Sequence, residues 1–571
     1  MKRCPECRRD YTDETLNFCL DDGAALVDGP SSMNESATAI LHTTAGSNEP
    51  PTRAQLHTTD ATAMLSNSPA AVTGYRKKWL IPLAAGAVLI AGLVVFGAFF
   101  LSGRGSSRQI ESVAVMPFVN ESGNPDFEYL SDGMTETLIN SLSELPQLSV
   151  KARSLVFRYK GKDVDPKQAA AELGVQAMLN GRLVRRGENI ALSLDLIDAA
   201  TGNQIWGENY ERRFSDLLTL QKEIARDVSN KLRTKLSGAD EKTLATSNTV
   251  DPEAYQLYLR GRYQWNKRTP EGARKAAEYF QAAIAKDPNY ALAYVGFADC
   301  FIVGEDFPPA EANPKAKAAA LKALTLDPSL GEAHAVLGNV AMYYEWDWPT
   351  AEREFKRSIE LNPGYATAHH WYAESLGAMG RFDESLAEFA RAVELDPVSP
   401  AIASDLGLAY VYARQYEKAI EHLKKISEVD PTFVRTYFYL ASVYEEKGMF
   451  SQAIDTRRRG LLLAGRNPER VSNSMKRMSD GLAASGSKGY WKAAIDLALD
   501  RPGGVDEGPN PVDVASLYSK LGETDKVFEW LEKGFRERRS FMIWMKVEPA
   551  WDNIRSDPRF VDLVRRMGLT E

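Results

Sequence analysis

An acidic or amide residue followed by proline returns through the middle of the chain: Asp287-Pro288, Asp327-Pro328, Asn362-Pro363, Asp396-Pro397 and Asp430-Pro431. Self-similarity at a period of about 34 residues is the mark of stacked helix–turn–helix units. Proline cannot continue a helix, and it pushes the residue before it out of the helical region. Each dipeptide therefore closes a unit. Between them, small and large positions recur. One unit carries Tyr372, Ala373, Gly380, Ser385, Phe389 and Ala392. The next carries Leu406, Gly407, Tyr410, Ala419 and Leu423, and a third Tyr437, Leu440, Ala441, Tyr444, Gly448 and Ala453. Small residues let two helices approach and large ones fill the gap between them. No helix pair of this kind buries its apolar face alone, so the units have to stack into a superhelix with a concave groove.

The pattern resembles the tetratricopeptide repeat family, with units in phase over 251–465. The resemblance implies a groove that takes an extended or helical peptide segment, and no catalytic device. In phase with the repeat, the inner positions of the first helices include Asn339, Tyr343, His370, Glu374, Tyr412, Phe438 and Glu445. Aromatic side chains beside polar ones can anchor a peptide and fix its register. Packing between helices is the alternative role for several of them. His369 and His370 are adjacent, so on a helix they point apart and cannot chelate one metal as a pair. Cys300 is read as a small core hydrophobe. Pro308, Pro309 and Pro314 are read as lengthening one inter-helix turn. After about Arg466 the phase blurs. Residues 466–571 read as further helical repeats and a cap for the apolar end of the stack.

The first 26 residues hold three of the four cysteines, Cys4, Cys7 and Cys19. This clustering reads as a local metal site in a reducing compartment and not as a disulfide framework. Cys4 and Cys7 have knuckle spacing, and Cys19 to Asp22 repeats it with aspartate in the last place. The segment resembles a zinc ribbon. It is expected to bind one structural Zn²⁺ through Cys4, Cys7, Cys19 and Asp22, with Asp21 or water as alternatives for the fourth position. Residues 27–78 are rich in Ser, Thr, Ala, Asn and Pro and read as a disordered linker.

Residues 79–101, WLIPLAAGAVLIAGLVVFGAFFL, carry no charge and are long enough to cross a hydrocarbon core of about 30 Å. Arg76, Lys77 and Lys78 precede the run; Arg104 and Arg108 follow it. This bias, with the reduced cysteines, places the amino terminus in the cytoplasm and the repeats outside a bacterial inner membrane. Residues 110–237 alternate strands and helices. They resemble a TolB-like α/β domain through Val113-Ala114-Val115-Met116-Pro117-Phe118, Leu130-Ser131-Asp132-Gly133-Met134, Tyr159-Lys160-Gly161-Lys162 and Leu196-Ile197-Asp198. The expected fold is thus multidomain: an α-helical tetratricopeptide solenoid, preceded by a small α/β domain, one transmembrane helix and a zinc-ribbon-like module.

A net charge of −8 argues against a nucleic-acid-binding body. No G-x-x-x-x-G-K-[ST] or G-x-G-x-x-G motif occurs in the α/β segment. Asp132 is read as a helix cap and the lysines near Gly161 as a solvated turn, so no enzyme or small-molecule substrate is expected. Two readings remain. The first is a membrane-anchored scaffold for protein–protein interaction on the envelope side. The second is a transmembrane signalling or transcription-linked regulator whose ribbon contacts a regulator or nucleic acid.

Overall fold

The computed structural model describes three two-residue strands near the amino end, and residues 110–569 apart from 144, 146, 163, 233–250, 268, 303–306 and 501–508. The predicted transmembrane run 79–101, Cys4, Cys7, Cys19 and Asp22, and all but two residues of the linker lie outside the described residues. Among the described residues no helix is long and apolar enough to cross a membrane. The chain divides into two compact units: Met1–Asn17 with Leu26–Arg108, and Phe18–Ala25 with Gln109–Glu571. In the first, β1 (Lys2–Arg3) pairs antiparallel with both β2 (Asp10–Tyr11) and β3 (Val27–Asp28).

The second unit begins with a sheet of β4 (Ser112–Val115), β5 (Val119–Asn120), β6 (Ser149–Val150), β7 (Ala177–Arg186), β8 (Asn189–Asp198) and β9 (Gln204–Arg213). Its order is β6-β4-β7-β8-β9, with β5 also on β7. The short strands run parallel to their neighbours and the three long ones form an antiparallel meander. Arg186 faces Asn189 across the first hairpin, where Gly187 turns at φ 60°. Strands β7 and β8 alternate buried and less buried residues, as a half-covered sheet requires.

Four helices accompany the sheet: α1 (Glu128–Ser143), α2 (Arg153–Phe157), α3 (Pro166–Leu173) and α4 (Leu217–Lys231). Helix α1 has twelve of its sixteen residues buried, because it is covered on both sides. Asp132 lies inside this helix and not at its cap. Its side chain is buried and accepts a hydrogen bond from Lys160 Nζ at 2.5 Å. Lys160, read from sequence as a solvated turn residue, also pairs with Glu128 at 2.7 Å.

The repeats follow as helix pairs: α5 (Pro252–Trp265) with α6 (Pro270–Lys286), α7 (Ala291–Ile302) with α8 (Pro309–Leu326), and α9 (Gly331–Val340) with α10 (Trp348–Leu361). Next come α11 (Ala366–Ala378) with α12 (Phe382–Leu395), α13 (Pro400–Tyr412) with α14 (Tyr416–Val429), and α15 (Val434–Glu446) with α16 (Phe450–Leu463). The recurring dipeptides end the second helices as their spacing predicts. Asp287, Asp327, Asn362, Asp396 and Asp430 are C-caps with φ between −144° and −126°. At three of them the carboxylate then accepts a backbone N–H two residues on, from Asn289, Ser329 and Thr432. The small–large pattern also has its expected use. The Phe280 ring packs on Gly261 and Gly296, Phe355 on Gly338, and Leu423 on Gly407. Cys300 is fully buried and its Sγ–H donates to the Gly296 carbonyl at 3.2 Å. Pro314 departs from the expectation: it lies inside α8 and not in a turn. There Asn313 Nδ2 donates to the Pro309 carbonyl at 3.0 Å, near the place where a proline interrupts the backbone ladder.

The turn between first and second helix carries a left-handed residue once per period: Trp346, Gly380, Arg414 and Gly448, with φ of 59°, 83°, 61° and 70°. Glycine adopts this conformation freely, whereas other residues are strained in it. A π-helical turn, Ala341–Glu345, leads into Trp346.

Beyond Arg466, α17 (Pro468–Leu499) is two helices folded sharply at Ser485 and Gly486. The Gly481 and Gly489 backbones touch across that fold, so neither can carry a side chain. Without a loop to break the pattern, the sequence phase is lost there. A further pair, α18 (Pro511–Leu521) and α19 (Thr524–Arg536), precedes two short 3₁₀ turns, Ser540–Trp544 and Pro549–Trp551, and the final helix α20 (Pro558–Arg566). This carboxy-terminal segment doubles back on the repeats. Arg538 donates to the Tyr344 carbonyl at 2.9 Å, and Trp348 Nε1 donates to the Met567 carbonyl at 2.7 Å. Arg414 donates to the Val547 carbonyl at 2.8 Å and pairs with Asp552 at 2.7 Å.

The α/β layer and the first repeats share one core, running from Ile110 to Cys300. Gly133 of α1 lets α5 approach so closely that an added methyl would stand 2.8 Å from Leu259 Cδ2. Inside this contact Glu136 accepts from both Arg262 Nε (2.7 Å) and Asn266 Nδ2 (2.5 Å), and it pairs with Arg153 at 3.2 Å. Burial opposes the Glu136 charge, but Arg262 and Arg153 outweigh it and hold the carboxyl below its ordinary range. Removing one partner of a buried pair leaves uncompensated charge. Glu136→Ala should therefore lose about 3–5 kcal/mol of stability in urea unfolding. A loss below about 1 kcal/mol, the size of an exposed pair, would show that the joint does not depend on it.

Candidate functional site

First helices of successive units lie side by side and, with the π-helical turn that follows α9, bring one or two residues each to a common place. Tyr343 comes from the end of the first, His370 and Glu374 from α11, Asp405 from α13, and Arg435 and Tyr439 from α15. His370 and Glu374 stand four residues apart and so share a helix face. His370 Nε2 lies 3.0 Å from Asp405 Oδ2 and 4.0 Å from Glu374 Oε1. Arg435 Nη1 reaches Asp405 Oδ2 at 3.2 Å, and the Tyr439 hydroxyl donates to Asp405 Oδ1 at 3.0 Å. His370, Glu374 and Asp405 are all buried, while the Arg435 side chain is 44% exposed.

Burial shapes the charges here. It lifts the Glu374 carboxyl above its ordinary range, with His370 opposing and Asp405 adding to the lift. It would raise Asp405 too, but the hydrogen bond from His370 and the charge of Arg435 hold that group below its usual value. For His370, burial opposes the charged ring, yet Glu374 and Asp405 raise it overall.

Of the seven inner residues read from the sequence, Tyr343, His370 and Glu374 meet in this cluster. Tyr412 lies beside it: Tyr412, Glu374 and Asp405 line one small cavity with Trp544 of the carboxy-terminal segment. Trp544 stacks on Tyr412, ring centroids 4.5 Å apart, so Tyr412 is buried by the chain itself. Asn339 is buried within α9. Phe438 packs beside Gly460 of α16. Glu445 accepts from Arg457 at 2.6 Å and from the Tyr490 hydroxyl at 2.5 Å, which ties α15 to α16 and α17. The sequence reading missed Asp405, Arg435 and Tyr439. Asp405 is 35 residues beyond His370, and Tyr439 is 34 beyond Asp405. Carrying His370 forward by the repeat period finds both. Nothing in the period points to Trp544.

Residues 344–400 and 404–461 match a tetratricopeptide repeat family model. The helical array is a tetratricopeptide array. Residues 108–227 match the second domain of the HilA/YgeH-like transcriptional regulators. Among curated relatives, "Putative adenylate cyclase 3" of Rhizobium meliloti (strain 1021) is 36% identical over 187 residues, 33% of this chain and 32% of that protein. The TPR repeat-containing protein YpiA of Bacillus subtilis (strain 168) is 26% identical over 261 residues, 45% of this chain and 58% of that one. "Transcriptional regulator HilA" of Salmonella typhimurium is 20% identical over 323 residues, 56% of each. The chain thus spans between about a third and three-fifths of these relatives. Among solved structures, the type IV pilus biogenesis factor PilW matches 38% of this chain and 94% of its own, with 18% identity and a TM-score of 0.31. The tetratricopeptide protein YrrB matches 35% and 99%, with 20% identity and a TM-score of 0.25.

A third, half-buried carboxyl lies next to this face. Glu548, on the carboxy-terminal segment, is pushed up to about 7 by burial, with the charge of Glu446 adding to it. A carboxyl raised on folding binds its proton more tightly in the folded chain. Its contribution to stability is therefore present at acid pH and is lost as pH rises from the unfolded value of about 4.5 to about 7. Glu548→Gln keeps an acceptor for the Ala550 N–H and removes the titration. Urea unfolding should find the variant's stability, relative to the parent, greater at pH 8 than at pH 4. The same difference at both pH values would exclude Glu548 as the source.

Proposed function

We propose that the chain is a scaffold whose tetratricopeptide face binds a segment of another protein. The observation that carries this reading is the convergence of Tyr343, His370, Glu374, Asp405, Arg435 and Tyr439 from first helices of successive units. Polar groups there can fix the register of a bound segment while the tyrosine rings supply apolar area. A peptide recovered on the full chain from a displayed library should bind about ten-fold or more weakly to Tyr343→Ala/Tyr439→Ala. Circular dichroism should stay unchanged. Equal affinity in the folded double variant would remove this face as the binding site.

In the same reading the apolar run 79–101 anchors the scaffold in a membrane, with the amino-terminal ribbon and its Zn²⁺ ligands Cys4, Cys7, Cys19 and Asp22 on the cytoplasmic side. The uncharged length and the flanking basic residues support this. Protease added to spheroplasts should digest the repeats and spare the amino-terminal segment; protected repeats would reverse the orientation.

One observation favours a signalling or transcription-linked role as the second reading. The α/β domain matches part of a transcriptional-regulator family, and a third of the chain resembles a protein named as a cyclase. A domain shared with transcriptional regulators suits an input module, and the core shared by α/β layer and repeats would pass binding at the face to the rest of the chain. A cytoplasmic regulator recovered by crosslinking would favour this reading, and an envelope protein the first.

A further inference from the structure

We propose that His370, Glu374 and Asp405 form a site for one divalent transition-metal ion of the zinc class, set between two consecutive tetratricopeptide units. This goes beyond the peptide-binding reading and does not depend on it.

The geometry is that of a ligand set. One atom from each residue, an imidazole nitrogen and two carboxylate oxygens, lies within 4.8 Å of the other two. Ligands held at about 2.0–2.2 Å around a tetrahedral ion stand about 3.3–3.6 Å apart. The observed separations of 3.0 Å and 4.0 Å from His370 Nε2 bracket that value. Small side-chain rotations on two packed helices suffice to equalise them. The i, i+4 pair on α11 supplies two ligands from one rigid face, and Asp405 supplies the third from the neighbouring helix. Nitrogen with two oxygens suits zinc and its divalent neighbours.

Two further features suit a bound cation. Glu374 is buried, with His370 Nε2 at 4.0 Å, beyond hydrogen-bond distance, Arg435 acting on it only through its charge, and the Tyr343 hydroxyl as its hydrogen-bonding neighbour. An ion between His370 and Glu374 would put a positive charge closer to this carboxyl than either. Asp405 Oδ1 is held by the Tyr439 hydroxyl, the kind of outer hydrogen bond that orients a ligating carboxylate. Its Oδ2 faces His370 Nε2, so the ion would take the place of the proton now between them. Arg435 competes for that oxygen, but its half-exposed side chain can turn to water. The adjacent His369 is engaged elsewhere, with Glu388 at 2.6 Å and the Pro363 carbonyl at 3.2 Å. Three protein ligands leave a fourth position for water or for a donor atom of a bound protein.

The test uses the full chain with Cys4, Cys7 and Cys19 changed to serine, which removes the amino-terminal thiolates from the count. Equilibrium dialysis against Zn²⁺ should load about one equivalent. His370→Ala and Glu374→Gln in that chain should each weaken binding about ten-fold or more. Arg435→Ala should bind more tightly, because it removes the competing cation; an ion-pair cluster with no metal role would lose stability in that variant and gain no zinc. Zn²⁺ should raise the Tm of the parent and of Arg435→Ala, and leave that of His370→Ala unchanged. If His370→Ala does not fold, His370→Gln keeps a hydrogen bond to Asp405 without a strong metal ligand. No zinc retained by the parent chain, or equal retention in the ligand variants, would overturn the proposal.

Discussion

Glu136 is the joint on which the second unit is built. Its carboxylate sits between Arg262, Arg153 and Asn266, inside a contact made close by Gly133. A buried charge of this kind tolerates little displacement, because each lost hydrogen bond leaves a group that water cannot reach. The pair therefore fixes the angle at which α5 leaves the α/β layer. Every later helix pair stacks on the one before it, so the direction set at Glu136 is inherited along the array. The tie is repeated farther on, where Ser154 donates to Asp396 at 2.6 Å, so α2 also holds a turn three units downstream.

The repeats were legible because their signal is local and periodic. An Asp-Pro dipeptide ends a helix wherever it stands, and a glycine opposite a phenylalanine packs the same way in each unit. The strands of the meander were legible for a related reason: alternation along β7 and β8 matches a sheet with one covered face. Contacts between distant parts of the chain leave no such trace. Trp544 reads as one more apolar residue near the end, and only the folded chain lays it on Tyr412. Asp132 misled for the converse reason. An aspartate near a helix start suits a cap, but Lys160, far along the sequence, makes it affordable inside α1.

The candidate site shows the same division. The period selects positions on the inner face, and the fold brings Tyr343, His370 and Glu374 of them together. It does not say which of the selected residues are spent on internal ties. Glu445 is, through Arg457 and Tyr490, and Phe438 is, beside Gly460. A face built from repeats thus has a few positions left for chemistry, and these gather where neighbouring first helices bring His370, Glu374 and Asp405 together.

The turns between first and second helices carry one more message. Two of them place glycine at the left-handed position, but Trp346 and Arg414 occupy it in the alternate units, at a cost of about 1–2 kcal/mol each. Those same two side chains grip the returning end of the chain: Trp346 lies against Phe535 and Arg538, and Arg414 against Val547 and Asp552. The strain is tolerable only while that grip holds. The array and its clasp are accordingly a loaded latch: peeling away the last segment would release the strained turns of two alternate units together.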